Sequence, residues 1–275
     1  AAAERHPNTA LFINMGDLVD NGEQCSHWKA WFSSLRGIID KKIFVPVMGN
    51  HEMYDLNWKV RQPRAYLANF AVPGNNSRGK YGAKDAENDF DRWYYSFDYG
   101  DAHFVVLNTQ QQELSDLTED GSLADALSRQ QDEWLKNDLT ATEKRWKIIL
   151  MHRDVLRYGI HDRPERQPGI EETGRHFMPL FEEFGVHVVL TAHLHTYRNR
   201  GRIYDFAHAD RGPLYILTGV AGNVRYPGLW IDHRLDKTTA PQPETDNYLT
   251  MQVTRDNITL ECFLPDGTSI DKIVL

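Results

Sequence analysis

Four short segments carry the side chains best suited to chemistry: GDLVD (16–20), GNHE (49–52), MHRD (151–154) and AHLH (192–195). Together they supply Asp17, Asn50, His152, His193 and His195, a mixture of carboxylate, amide and imidazole donors with no thiolate. Hard oxygen and borderline nitrogen ligands of this kind suit Mn, Fe, Zn or Mg ions. Each segment alone has a plainer reading. Asp17 could cap a helix, Asn50 could sit in a left-handed turn, and a histidine at a strand end is commonly a satisfied polar residue. The conjunction points elsewhere, because packing alone does not place such donors after four separate strands. His193 and His195, two apart, face the same side if they continue a strand.

Donors need a frame. Apolar runs at 10–13, 44–47, 148–150 and 188–191 precede the four segments, and open α/β sheets gather their ligands beyond the carboxyl ends of strands. The wider pattern predicts strands at 11–14, 43–47, 94–97, 103–108, 146–151, 186–191, 214–217, 249–253, 258–263 and 270–275, with helices at 23–36, 124–139 and 173–184. Strands alternating with helices and followed by a β-rich tail predict an α/β chain of sheets covered by helices. Two long irregular stretches, 73–92 and 157–172, are expected to line the site. Cys25 shares an apolar helical stripe with Trp28, Phe32 and Leu35 and is expected in the core. Cys262 lies on an alternating strand, and nothing in the pattern demands that the two be paired.

The 275 residues are 41% hydrophobic and 25% charged, which fits one large globular domain or two small ones. No apolar run is long enough to span a bilayer. The net charge of -8 argues against a general nucleic-acid surface. It leaves an anionic substrate open, because bound metal ions invert the local field.

In this order GDLVD, GNHE, MHRD and AHLH resemble the calcineurin-like metallophosphoesterase superfamily. YYSFDYGDAHFVVLNT (94–109), QQDEWLKNDL (130–139) and AHLHTYRNRG (192–201) resemble its purple-acid-phosphatase-like branch. The resemblance implies a four-layer α/β/β/α sandwich of two mixed sheets with flanking helices, in a single domain over 1–275. It implies two divalent or trivalent metal ions, bridged by Asp17. Asn50, His152 and His193 would complete one site and His195 would bind the other ion. His51 would stand beside the leaving oxygen as general acid, oriented by Asp20.

The implied reaction is hydrolysis of a small phosphate monoester by a hydroxide held between the metals, which also clamp the phosphoryl oxygens. Arg153, Tyr197 and Arg198 are further candidates for phosphate contact. Phosphodiesterase or nucleotide hydrolase activity, and a single-metal binding module without catalysis, stay open. Two departures bear on these alternatives. The family's opening Asp-x-His motif is absent, so the sequence is expected to start downstream of the family's first strand and first metal motif, with one metal the minimum. Asp20 stands where purple acid phosphatases carry a tyrosine, so a tyrosinate–iron colour is not expected. Export is a further expectation from the resemblance.

Overall fold

The computed structural model describes residues 1–74, 90–118, 120–222 and 224–275, so most of the stretch at 73–92 lies outside the described residues. The first half holds β1 (Leu11–Asn14), β2 (Ile43–Pro46), β3 (Tyr95–Tyr99), β4 (Ala102–Leu107) and β5 (Trp146–Met151). Short strands follow, β6 (Leu156–Arg157), β7 (Gly159–Ile160) and β8 (Gly169–Ile170), then β9 (Val188–Thr191), β10 (Thr196–Tyr204), β11 (Ala207–His208) and β12 (Leu214–Gly219). The tail carries β13 (Trp230–Ile231), β14 (Thr238–Thr239), β15 (Tyr248–Val253), β16 (Ile258–Phe263) and β17 (Ser269–Val274).

A mixed sheet of eight strands runs β11-β10-β12-β9-β5-β4-β3, with β14 added against β10. Its centre is parallel, β12 to β9, β9 to β5 and β5 to β4. These strands are covered on both faces and read as continuous apolar runs, as central parallel strands do. Alternate residues feed two cores. Ile148, Leu150, Val188, Leu190 and Ile216 pack with Ile258, Leu260 and Cys262 of β16. Ile149, Met151, Val189 and Leu217 pack instead with Leu135, Leu139, Phe177 and Phe181. The last four lie on two helices, Ser122–Ala141 and Glu172–Glu183. Phe177 and Phe181, four apart, share one helix face, and burying each stabilises the fold by about 1.5–3 kcal/mol. The chain is therefore α/β with a large mixed sheet.

The parallel pair β1–β2, in register from Leu11 opposite Ile43 to Asn14 opposite Pro46, stands apart from the large sheet in its hydrogen bonding. Leu11, Ile13 and Val45 nevertheless join the core shared with β16.

Four sequence expectations change. Cys25 is exposed rather than packed, because the helix Cys25–Ser34 turns Trp28 inward and leaves its first residue at the surface. The stretch at 157–172 is not structureless: β6 pairs with β8, and β7 pairs with β13. The nine-residue β10 is absent from the expected strands, since TYRNRGRIY shows no apolar alternation. Finally, His193 and His195 do not continue a strand. They lie in the turn between β9 and β10, both in left-handed backbone, with φ of 72° and 50°.

Candidate metal centre

Parallel pairing of β1 with β2 and of β5 with β9 sets their carboxyl ends side by side. The four donor-bearing segments leave from those ends. Ala192 N–H donates to the His152 carbonyl at 2.9 Å, which ties two of the segments together. Asp17 enters with φ 52°, a left-handed conformation that carboxylate side chains tolerate better than most. Gly49 is required beside it, because a Cβ there would collide with Asp17 Oδ1 and with the Asp17 backbone nitrogen.

Around one point meet His152 Nε2, Asp17 Oδ2 at 3.0 Å from it, Asn50 Oδ1 at 3.2 Å and His193 Nδ1 at 3.2 Å. Among the described residues, Asp17, His152 and His193 form a group of the kind that could hold a metal ion. His152 Nδ1 lies 2.8 Å from the Met15 carbonyl, which can only accept, so the proton sits on Nδ1 and Nε2 points its lone pair inward. Lone pairs of a neutral imidazole, a carboxylate and an amide oxygen then face one another. A cation relieves that crowding, either a proton shared by the donors or a metal ion, and the donor set fits the metal.

The electrostatics follow from the same crowding. Burial alone would raise Asp17, yet His152 and His51 hold its carboxyl well below the usual carboxylate range. Burial works against protonating His152, but Asp17 beside it outweighs burial and raises it. His193 moves down to about 3, through burial first, then the charge His152 carries when protonated and that of Arg153, so its ring stays neutral and able to ligate. His195 is also lowered, chiefly by burial. Its Nδ1 lies 3.3 Å from the Val224 carbonyl, and it stands outside the Asp17–His152–His193 group, though near enough to feel Asp17 and His51.

His51 Nδ1 donates to the main-chain carbonyl of Asp20 at 2.8 Å, while the Asp20 carboxylate is 3.6 Å away and 61% exposed. The His51 N–H in turn donates to Asp17 Oδ1 at 3.0 Å. Arg153 is ion-paired to the buried Glu113 and lies close enough to His193 to lower it. Arg198 is buried and paired with Asp232 at 2.5 Å, and it lines a groove next to His195. Tyr197 is a correction. It is fully buried in the core between the sheets, and its hydroxyl donates to Asp271 at 2.8 Å, so no substrate meets it.

Two buried carboxylates in these segments had no assignment from sequence. Glu52, 2% exposed, binds the backbone of both the Asp17 and Gly49 turns. Asp154, 4% exposed, accepts from Thr191 Oγ1 at 2.7 Å and from both terminal nitrogens of Arg200, bracing the ends of β5 and β9. The only sequence signal for either was its place inside GNHE or MHRD.

Residues 1–197 match the calcineurin-like phosphoesterase family. The chain is 27% identical to purple acid phosphatase 15 of Arabidopsis thaliana over 224 residues, covering 79% of this chain and 36% of that protein. It is 28% identical to acid phosphatase type 7 of Danio rerio, covering 77% and 48%. Its fold is similar to the structure of purple acid phosphatase PPD1 from yellow lupin (Lupinus luteus) seeds, with TM-score 0.69 and 17% identity over 98% of this chain and 47% of that one. The chain thus spans less than half the length of these relatives. Among the described residues, no helix is long and apolar enough to cross a membrane.

Proposed function

The chain belongs to the calcineurin-like phosphoesterase family, and from that premise we propose that it hydrolyses small phosphate monoesters at a two-metal centre built on Asp17. The observation that carries the reading is the convergence of Asp17 Oδ2, Asn50 Oδ1, His152 Nε2 and His193 Nδ1 on one point. In this reading Asp17, with Asn50, His152 and His193, would hold one ion, and Asp17 with His195 would hold the other. When bound, the ions would supply Lewis acidity to the phosphoryl oxygens and acidify a water.

The chain's own residues do the rest. His152, fixed by the Met15 carbonyl, and the neutral His193 keep ligand lone pairs aimed inward. A neutral Asn50 adds a donor without cancelling the positive charge that attracts a phosphate. The guanidinium of Arg153, anchored by Glu113, adds positive charge beside His193. His51, with Nδ1–H held by the Asp20 carbonyl, leaves Nε2 to carry a proton to the leaving oxygen.

The test is hydrolysis of 4-nitrophenyl phosphate and bis(4-nitrophenyl) phosphate with added Mn, Fe, Zn or Mg. Metal-dependent cleavage of the monoester, abolished by chelation and in Asp17→Ala, is expected. Preference for the diester would move the assignment to a phosphodiesterase, and no cleavage with any metal would overturn it. A second reading, a single-metal module that binds phosphate without cleaving it, is favoured by the position of His195 outside the three-residue group. Metal counting separates the two, since one ion per chain supports the module.

A further inference from the structure

We propose that the groove beside His195 receives the leaving group of the substrate and selects a flat aromatic one, making aryl phosphates the preferred esters. The proposal rests on the phosphomonoesterase reading above. The groove, of about 450 Å³, is a size that holds a small molecule.

His195 lines it and lies near enough to the candidate metal centre to feel Asp17. The Tyr226 ring lies 5.1 Å from the His195 ring at an interplanar angle of 35°, and the Trp230 ring is 6.3 Å further along. An aromatic surface therefore starts at the ring next to His195. A group bonded directly through its ring to the ester oxygen reaches that surface, whereas a sugar would be interposed for a nucleotide. Tyr226 is 43% exposed, so it presents a face free for stacking.

The two arginines on the wall are already paired, and Glu244, which also lines it, accepts from Thr196 Oγ1 and the Tyr197 N–H. Arg225 pairs with Asp246 and Arg198 with Asp232, so the groove is poorly suited to a leaving group bearing further phosphates. The wall is also held in advance of binding. Trp230 Nε1–H donates to the Leu194 carbonyl at 2.9 Å, within the turn that carries His193 and His195, and β13 is paired with β7. A surface fixed beforehand loses little entropy when a rigid ring docks on it. Hydrolysis there would break the phosphorus–oxygen bond to the ring, form a new bond from water oxygen to phosphorus, and release a phenol and inorganic phosphate.

The test compares kcat/KM for phenyl phosphate and glycerol 2-phosphate in the wild type, Tyr226→Ala, Tyr226→Phe and Trp58→Ala. Trp58 is a second exposed aromatic, edge-on to His51, that belongs to a different loop. Tyr226→Ala should lower the phenyl-to-glycerol ratio by about three- to tenfold, the worth of one aromatic contact, and Tyr226→Phe should restore it. An unchanged ratio in Tyr226→Ala, or a fall confined to Trp58→Ala, overturns the groove assignment. Binding of phenylphosphonate against methylphosphonate, read by tryptophan fluorescence on the metal-loaded protein, runs in parallel. Should neither ester be cleaved, the phosphomonoesterase reading fails. The phosphonate pair then decides the groove by itself: a phenyl preference lost in Tyr226→Ala supports it, and no preference overturns it.

Discussion

Glu52 binds the backbone of Leu18 with one carboxylate oxygen, Oε1 accepting the Leu18 N–H at 2.6 Å and the Val19 N–H at 3.4 Å. Its other oxygen accepts from Gly49 at 2.6 Å and from Asp17 at 3.0 Å. One buried side chain thus joins the turn that carries Asp17 to the turn that carries Asn50. Burial first, and Asp17 second, push its carboxyl up to about 7. Glu52→Ala strands several N–H donors at once and should cost about 3 kcal/mol or more in urea unfolding. Metal content should fall with it as the two turns separate. Unchanged stability would mean that water replaces the carboxylate and that Glu52 does not organise the site.

The convergent donors make a prediction about affinity. His152→Ala or His193→Ala should weaken metal binding by more than about a hundredfold, beyond what loss of a supporting contact costs. Competition against a chromogenic chelator measures it. His195→Ala should remove one of the two proposed ions and leave the other, which metal analysis after dialysis reads directly. Equal metal content in wild type and His195→Ala would detach His195 from the centre.

Arg200 is fully buried and paired with Asp154 through contacts of 2.8 and 2.6 Å, with the Tyr158 hydroxyl at 3.0 Å closing the cluster. Breaking such a pair from one side leaves a charge without a partner in the core. Arg200→Met should therefore destabilise by about 3–5 kcal/mol, and adding Asp154→Leu should recover much of it. Denaturant midpoints of the two variants decide the matter. A double variant no better than the single one would show that Asp154 is held by Thr191 rather than by Arg200.

The large sheet carries a pH-dependent tie to its covering helix. His103 on β4 lies 2.7 Å from Asp98 and 2.8 Å from Asp138, the latter on the helix Ser122–Ala141 and itself bonded to Ser96 Oγ. Burial would lower His103, but the two carboxylates outweigh it and raise it above the ordinary imidazole value. A raised imidazole contributes its full stability below the unfolded value and loses it as pH rises through the folded one. The melting-temperature gap between wild type and His103→Gln should be wide near about pH 5 and narrow towards about pH 9. A gap independent of pH would mean that the imidazole is not charged in the fold.

The legible parts of this sequence were those where one signal acted alone. β1, β5 and β16 were readable within a residue or so because apolar side chains meet the core in simple order. The donor types that gather at the candidate centre were legible because each follows such a strand. β10 was hidden, because its strand character is carried by Arg198, Asn199 and Arg200, all buried in polar networks that no alternation rule reveals. Tyr197 was misjudged for the same reason: a tyrosine between Thr196 and Arg198 in a polar stretch reads as surface, yet its partner Asp271 lies far along the chain. The left-handed turn at His193 and His195 was likewise invisible, since non-glycine residues there are held by tertiary contacts rather than by local preference.

His51 gives the sharpest division of roles. The group that fixes its tautomer is the Asp20 carbonyl at 2.8 Å, not the Asp20 carboxylate at 3.6 Å, which is mostly exposed and screened by solvent. Asp20→Asn keeps that carbonyl and should lower kcat by less than about tenfold. His51→Ala removes the proposed proton carrier and should lower kcat for glycerol 2-phosphate by about 10²–10⁴-fold. The loss should be much smaller for 4-nitrophenyl phosphate, because nitrophenolate departs without being protonated. The two esters compared across both variants check the assignment. Equal losses on the two esters in His51→Ala would place His51 in phosphate binding instead of proton transfer, and a loss in Asp20→Asn as large as in His51→Ala would return the orienting role to the carboxylate.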